Sequence, residues 1–544
     1  SRNPPAHIRQ IIMENKFKMV AKTLKGLEAV LADELRALGA FDVEPGHRMV
    51  SFGGDLETLY QANLSCRTAL RILKPFYEFE AGDPDELYDA VKAYDWGSLL
   101  TLAKTFSIDT TVYSDEFTHS RFVTYRVKDA IVDWFKDRYG EDKRPGVRLQ
   151  DADVMINVHI SGRKVTLSLD SSGESLHKRG WRRASTEAPI SEVLAAGILL
   201  LSGYRGDRPF VDPMCGSGTF LVEAALIAAN IKPGVFRQSF AFEHWPDFDV
   251  DLFDRLANDD SEERPIAHPI IGRDISPAAV DIARRNLTAA GVAKDVDLAV
   301  QPISAWEEAP APEGIIVTNP PYGERISAPD MEALYETIGS KLKHVFAGWE
   351  AWIIGYREEY FRCIGLAPTT KIDLYNGSLD CQLRHYVIFA GTKRDFRAAG
   401  GRLKTIEDRA DRQRRDERKA FRRDDRDDRR SFRDDRRDGR RRPFDRDDRR
   451  SFRDDRDDRR KPFSRDNRRP FRDDRDDRRG TATEGFAPES ENPMARRRNI
   501  HALKSIGGGG PKLPPSTGAI MRDRGWKKRS LPPKDKGDDA AEKE

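Results

Sequence analysis

Ten residues, Phe210-Val-Asp-Pro-Met-Cys-Gly-Ser-Gly-Thr219, constrain the fold of this chain more than any other stretch. A short apolar strand end, Phe210-Val211, runs into Asp212-Pro213, and two glycines precede a run from Thr219 to Asn230 with the apolar spacing of a buried helix. Strand, tight loop and helix together make the repeating unit of an open α/β sheet. Gly216 and Gly218 let the backbone turn sharply and let a ligand approach it, and the free N–H groups at the helix start suit an anion. A dinucleotide fingerprint requires a third glycine and an acid about 20 residues further on. Here Thr219, Phe220 and Leu221 come after the glycines, and the next acid at a strand end is Asp274, after Ile270-Ile271-Gly272-Arg273. An insertion from about residue 232 to 269 must therefore intervene.

A second motif narrows the chemistry. Gly314-Ile-Ile-Val-Thr-Asn319 reads as a buried strand ending in Asn319-Pro320-Pro321-Tyr322, and ligands of open α/β sheets sit at such carboxyl ends. The lone pair of an exocyclic base amine is delocalised into the ring, which makes it a poor nucleophile. The amide oxygen of Asn319 and the carbonyl of Pro320 can accept its two N–H bonds and pull the nitrogen towards tetrahedral geometry. Pro321 stiffens the turn, and Tyr322 offers a face to an extruded base. The Asp212 to Thr219 string resembles the first motif of class I S-adenosylmethionine-dependent methyltransferases.

Charge is distributed unevenly. Residues 401–544 carry 47 Lys and Arg against 33 Asp and Glu, whereas residues 1–400 carry 47 against 58. An acidic folded part thus precedes a basic tail of the kind that engages nucleic acid. Arg-Asp-Asp-Arg-Asp-Asp-Arg-Arg recurs at 423–430, 453–460 and 472–479 with phenylalanines between the copies. So little apolar content cannot offset chain ordering, so the tail is expected to be disordered, either associating weakly with RNA or serving only solubility. The four cysteines, Cys66, Cys215, Cys363 and Cys381, are scattered and suggest neither a disulfide framework nor a zinc site. With no 18-residue apolar run and no apolar signal core near Ser1, the chain is expected to be soluble and cytoplasmic.

Residues 1–17 read as a polar arm. A strand from Met19, a turn at Gly26, a helix using Leu27, Val30, Leu31 and Leu35, one strand within Val43 to Phe52 and a helix over Leu56 to Leu64 form a small α+β unit. Phe106 to Tyr113, Val154 to Ile160 and Lys164 to Asp170 alternate as strands, and Phe122 to Tyr139 is an amphipathic helix. Thr23-Leu-Lys-Gly-Leu-Glu28, together with the strands and helices after it, resembles the ferredoxin-like segment plus THUMP domain of RNA-modifying enzymes. His177, Lys178, Arg179, Arg182 and Arg183 form a basic cluster, with Trp181 available to stack, so Lys178, Arg179, Trp181 and Arg182 are read as RNA contacts. Ala188-Pro-Ile-Ser-Glu192 opens an apolar helix, through Leu201, that would cover the cofactor pocket. Glu350 to Gly355 and Leu383 to Ala390 read as the last strands, the latter antiparallel at the edge.

Four strings in order bring the resemblance close: Leu176-His-Lys-Arg-Gly-Trp181, Asp212 to Thr219, Asn319-Pro-Pro-Tyr-Gly-Glu324 and Leu374-Tyr-Asn-Gly-Ser-Leu-Asp-Cys-Gln-Leu383. They resemble the 23S rRNA guanine-N2 methyltransferase family, whose members are also often labelled N6-adenine-specific DNA methylases. The resemblance implies a ferredoxin-like plus THUMP RNA-binding domain over 18–172 and a class I methyltransferase domain over 173–392, Rossmann-like with a mostly parallel sheet. Tails over 393–480 and 481–544 would complete the chain. It implies S-adenosyl-L-methionine held by Asp212 and the Cys215, Gly216, Ser217, Gly218 and Thr219 loop, with Asp274 on the ribose. Ser304 stands where the family commonly has an aspartate near the adenine amine. Asn319, Pro320, Pro321 and Tyr322 would hold the target, most simply guanine N2 of 23S rRNA. An adenine N6 methyltransferase, and an RNA-binding assembly factor without activity, are the other two readings.

Overall fold

The computed structural model describes residues 16–389 apart from 150, 187–188 and 323–326. The repeat tail lies outside the described residues, as does nearly all of the stretch read as an arm. Two sheets organise the rest.

The first sheet has eight strands. β1 (Phe17–Lys22) alternates, burying Met19 and Ala21, and leads through a turn at Gly26 into α1 (Glu28–Ala37), which buries Leu31, Ala32 and Leu35. Where one strand was expected within 43–52 there is a hairpin of β2 (Phe41–Gly46) and β3 (Met49–Gly54), because His47 and Arg48, the latter at φ 57°, interrupt the run with a turn. α2 (Leu56–Ser65) starts at Asp55, whose carboxylate accepts the Thr58 N–H at 2.9 Å. β4 (Arg71–Glu80) and α3 (Pro84–Ala93), neither of which the sequence pattern announced, come next. Then come β5 (Thr105–Tyr113), α4 (Ser120–Tyr139), β6 (Gly146–Val147), β7 (Val154–Ser161) and β8 (Lys164–Asp170). The strand order is β2-β3-β1-β4-β8-β7-β5-β6, so β4 joins the two halves by pairing with β1 on one side and β8 on the other.

The second sheet has seven strands. After α5 (Glu192–Leu201) come β9 (Phe210–Asp212), α6 (Thr219–Ala228), α7 (Val250–Asn258), β10 (Ile270–Asp274), α8 (Pro277–Ala289) and β11 (Val296–Val300). β12 (Ile315–Thr318), α9 (Ala328–His344), β13 (Glu350–Gly355), α10 (Glu358–Cys363), β14 (Thr370–Asn376) and β15 (Leu379–Val387) complete it. The order is β11-β10-β9-β12-β13-β15-β14. The first five run parallel, and β15 pairs antiparallel with β13 on one side and β14 on the other. The expected antiparallel strand is therefore present but inside the sheet, with β14 at the edge. Chain direction along the sheet reverses between β9 and β12, and such a switch point opens a crevice at the carboxyl ends of the two strands.

α5 is apolar from Val193 onward, and Gly197 lets it lie against Leu27 of the amino-terminal unit, where a Cβ would come within 2.5 Å of a Leu27 methyl. The expected insertion holds the two sheets' layers together. Its Phe242 stacks on Tyr60 of α2 at 4.6 Å between ring centroids, Phe248 and Phe253 meet the same ring edge-on, and the Asp249 N–H donates to the Tyr60 hydroxyl at 3.0 Å. Among the described residues no helix is long and apolar enough to cross a membrane.

Candidate active site

The glycine loop hangs from the end of the neighbouring strand. Gly216 and Gly218 have φ of 52° and 79°, the left-handed region, and a Cβ on Gly218 would come within 2.9 Å of Ala283. The Cys215 N–H donates to the Arg273 carbonyl, and the Gly216 N–H donates to Asp274 Oδ2, both at 2.9 Å. Asp274 Oδ1 accepts the Ser276 N–H at 2.9 Å, so one half-buried carboxylate spans the loop and the start of α8 and keeps a lone pair on each oxygen. Ile275 beside it is 71% exposed, and exposed Ser304 lies after β11 in the next loop along the sheet.

Asp212 ends β9 fully buried. Thr318 on adjacent β12 donates its hydroxyl to Asp212 Oδ1 at 2.8 Å, and the Met214 N–H adds a bond at 3.2 Å. Burial outweighs both hydrogen bonds and, with the nearby Asp274 charge, pushes the Asp212 carboxyl up to about 7. Burial also drives the Cys215 thiol far above its ordinary value, which disfavours the thiolate that a nucleophile would need. One residue past Thr318, the Asn319 side-chain oxygen is buried with no hydrogen-bond partner among the described residues. Pro320 is buried and Pro321 exposed. Tyr322 packs edge-on against Tyr356 at 5.4 Å, and its hydroxyl accepts the Asn376 amide at 3.2 Å. An acidic loop mouth, an orphan amide oxygen and an aromatic ring thus converge on the switch point.

Sequence relatives extend over both sheets. Residues 179–385 match the model described as the RMKL-like methyltransferase domain, 18–73 the RlmL ferredoxin-like domain and 81–170 the THUMP domain. The chain is 37% identical over 373 residues to "Putative RNA methyltransferase slr0064" of Synechocystis sp., covering 96% of that protein and 68% of itself. The chain belongs to the RMKL-like methyltransferase family. It is also 40% identical over 389 residues to "Ribosomal RNA large subunit methyltransferase K/L" of Syntrophotalea carbinolica, covering 69% of itself but only about half, 54%, of that longer relative. The crystal structure titled "SMU.472, a putative methyltransferase complexed with SAH" is 33% identical, with a TM-score of 0.62 over all of that chain and 70% of this one.

In this family member the basic cluster before α5 is turned mostly inward. Trp181 is fully buried, and Arg179 is 2% exposed, bonded to the carbonyls of Leu176 and Arg67 and to Glu223 of α6. Arg182 commits its guanidinium to Glu192 at 2.7 Å and to the hydroxyls of Ser217 and Thr219 at 3.1 and 3.0 Å. The physical reason is position: the segment runs between the two sheets' layers, where cations must find carbonyls and carboxylates. Of the four residues expected to touch RNA, Lys178 alone is exposed, and it pairs with Glu174 at 2.6 Å. His177 is half-buried, and burial lowers its pKa. α5 packs on α6, and Thr186, upstream of it, is what faces Gly216.

Sequence reasoning missed Asn286, which is fully buried in α8. Its Nδ2 donates to the carbonyls of Ser217 and Ala184, each at 2.9 Å, and its Oδ1 accepts the Arg183 N–H at 2.8 Å. Asn286 and Arg182 therefore strap the glycine loop to the interdomain segment. An asparagine in the middle of a helix with apolar neighbours Leu287 and Ala283 was the available signal.

Proposed function

We propose that this chain is an S-adenosylmethionine-dependent methyltransferase that modifies an exocyclic base amine of RNA, guanine N2 in 23S rRNA. The observation that carries the reading is the orphaned Asn319 oxygen. A buried acceptor without a partner costs about 1–3 kcal/mol, and it persists at a switch point where an amine donor would satisfy it. The relatives' names, "Ribosomal RNA large subunit methyltransferase K/L" above all, and the THUMP match support an RNA substrate.

The residues fit the cofactor. Asp212 and the backbone of Cys215 to Thr219 would hold its methionine part, Asp274 the ribose hydroxyls, and Ile275 and Ser304 the adenine. When bound, its sulfonium supplies an activated methyl group. Two carboxylates close enough to feel each other's charge give this mouth a negative field suited to a cationic ligand. Asn319 and the Pro320 carbonyl accept the amine hydrogens and localise the lone pair, while Tyr322 fixes the base plane. Since the methyl group is already activated, no side chain must remove a proton first. The product nitrogen releases its proton to water.

The test is transfer of labelled methyl to rRNA from a strain lacking this gene, with nucleoside analysis and Asn319→Ala as control. Label in N2-methylguanosine that vanishes in the variant is the expected result. Label in N6-methyladenosine would move the target to adenine, and no label in rRNA or its precursor particles would favour an RNA-binding assembly role.

A further inference from the structure

We propose that Asn376, at the tip of the β14–β15 hairpin, is a positioning residue that sets the orientation of the Tyr322 ring in the target-base site. The inference rests on the reading of Asn319 to Tyr322 given above and extends it to a strand outside the parallel sheet.

Tyr322 is held at three points. Asn376 Nδ2 donates to its hydroxyl at 3.2 Å, with Cys381 Sγ on the same oxygen at 3.9 Å. The Tyr356 hydroxyl donates to the Tyr322 carbonyl at 3.3 Å, and the Tyr356 ring meets the Tyr322 ring at an interplanar angle of 70°. Arg357 Nε donates to the Tyr356 hydroxyl at 2.7 Å, which fixes that ring in turn. A phenol anchored through its hydroxyl cannot swing about χ1 without breaking that bond, so Asn376 fixes where the ring lies, and the edge-on Tyr356 ring restrains its turning about χ2.

The anchor itself needs a rigid base, and an edge strand is a poor one unless something covers it. β14 pairs only with β15 within the sheet, yet residues of the amino-terminal domain also lie against it. Lys25 Nζ sits 5.1 Å from the centre of the Tyr375 ring, and Gly26 lies so close that a Cβ there would be 2.9 Å from Leu374 Cδ2 and 3.2 Å from the Asp373 carbonyl. Tyr375 is thus turned to the amino-terminal domain while the next residue, Asn376, holds the tyrosine of the site.

The experiment measures kcat and KM for full-length wild type, Asn376→Ala, Tyr322→Phe and the double variant, using labelled S-adenosylmethionine and rRNA from the gene-deficient strain, together with cofactor affinity by calorimetry. Each single variant is expected to lose about tenfold in kcat, the worth of one positioning hydrogen bond. KM for RNA and cofactor affinity should stay unchanged, and the double variant should be no worse than the worse single, since both remove the same bond. Tyr322→Phe keeps the packing, so it reads out even if Asn376→Ala folds poorly. Single-variant rates equal to wild type, multiplying losses in the double, or a weakened cofactor site would overturn the proposal. A wild-type chain that transfers no methyl to RNA would overturn the proposed function and this inference together.

Discussion

Asp212 is asked to be buried and to be charged, and the two demands conflict. With a folded-state pKa pushed up to about 7 against roughly 3.9 in an unfolded chain, its contribution to stability is fully present below about pH 4 and is lost as pH rises through about 7. The penalty at pH 8 is of the order of 4 kcal/mol. Asp212→Asn, which keeps an acceptor for Thr318, should therefore raise the melting temperature at about pH 8 and raise it much less at about pH 5. The same substitution should weaken S-adenosylmethionine binding severely. In the wild type, calorimetric affinity should climb as pH rises from about 5.5 to 7, because only the ionised carboxylate pairs with a cationic ligand. A variant no more stable at alkaline pH would show that the carboxylate is solvated after all. Asp212 and Asn319 were legible because each sits in a contiguous motif. Thr318 was in plain view as part of the second motif, yet its duty to Asp212 was hidden, since a bond spanning 106 residues is created only when β12 docks beside β9.

A loop and its helix act as one element, and their two glycines are not equivalent. Gly218 has both the left-handed φ and a wall, Ala283, whereas Gly216 has the φ alone, its nearest neighbour being the Thr186 hydroxyl at 3.7 Å. Gly218→Ala should accordingly unfold the chain at lower denaturant than Gly216→Ala, which is expected to cost only about 1–2 kcal/mol. Matched urea titrations decide it, and equal midpoints would contradict the packing argument. Methyl transfer should fall in both, because the Gly216 N–H is bonded to Asp274. At this scale β9, α6, β10, β12 and β13 could be read from apolar runs and breakers, but β14 could not, since Thr370-Lys-Ile-Asp-Leu-Tyr-Asn376 is half polar and becomes a strand only by pairing with β15. The basic segment before α5 misled for a related reason. Arginines flanking a tryptophan look the same whether they face a phosphate or thread between two domains, and only Glu223 and Glu192, supplied by two different helices, tell which.

At the scale of the molecule, the amino-terminal unit and the methyltransferase sheet are fastened by the insertion between α6 and β10, and Tyr60 is its centre. Three phenylalanine rings of that insertion surround the Tyr60 ring, and its hydroxyl satisfies a backbone N–H that would otherwise be left without a partner. Sequence spacing required an insertion of this length but gave no reason for it, because the ring that Phe242, Phe248 and Phe253 share belongs to a residue 189 positions before Asp249. Tyr60→Ala removes the ring and leaves a cavity, which should cost about 3–5 kcal/mol, while Tyr60→Phe loses only the hydroxyl bond at about 1 kcal/mol. If the seam sets how a substrate gathered by one domain reaches the site in the other, Tyr60→Ala should also raise KM for RNA several-fold. Cofactor affinity should stay as in the wild type, because the glycine loop is held by Asp274, Asn286 and Arg182 and not by the rings of the seam. Denaturant unfolding and RNA-concentration series on the two variants separate these effects. A Tyr60→Ala chain with wild-type KM would mean that the seam stabilises the protein without orienting its substrate, and attention would then turn to the other contacts between the two domains, that of β14 with Lys25 and Gly26 among them.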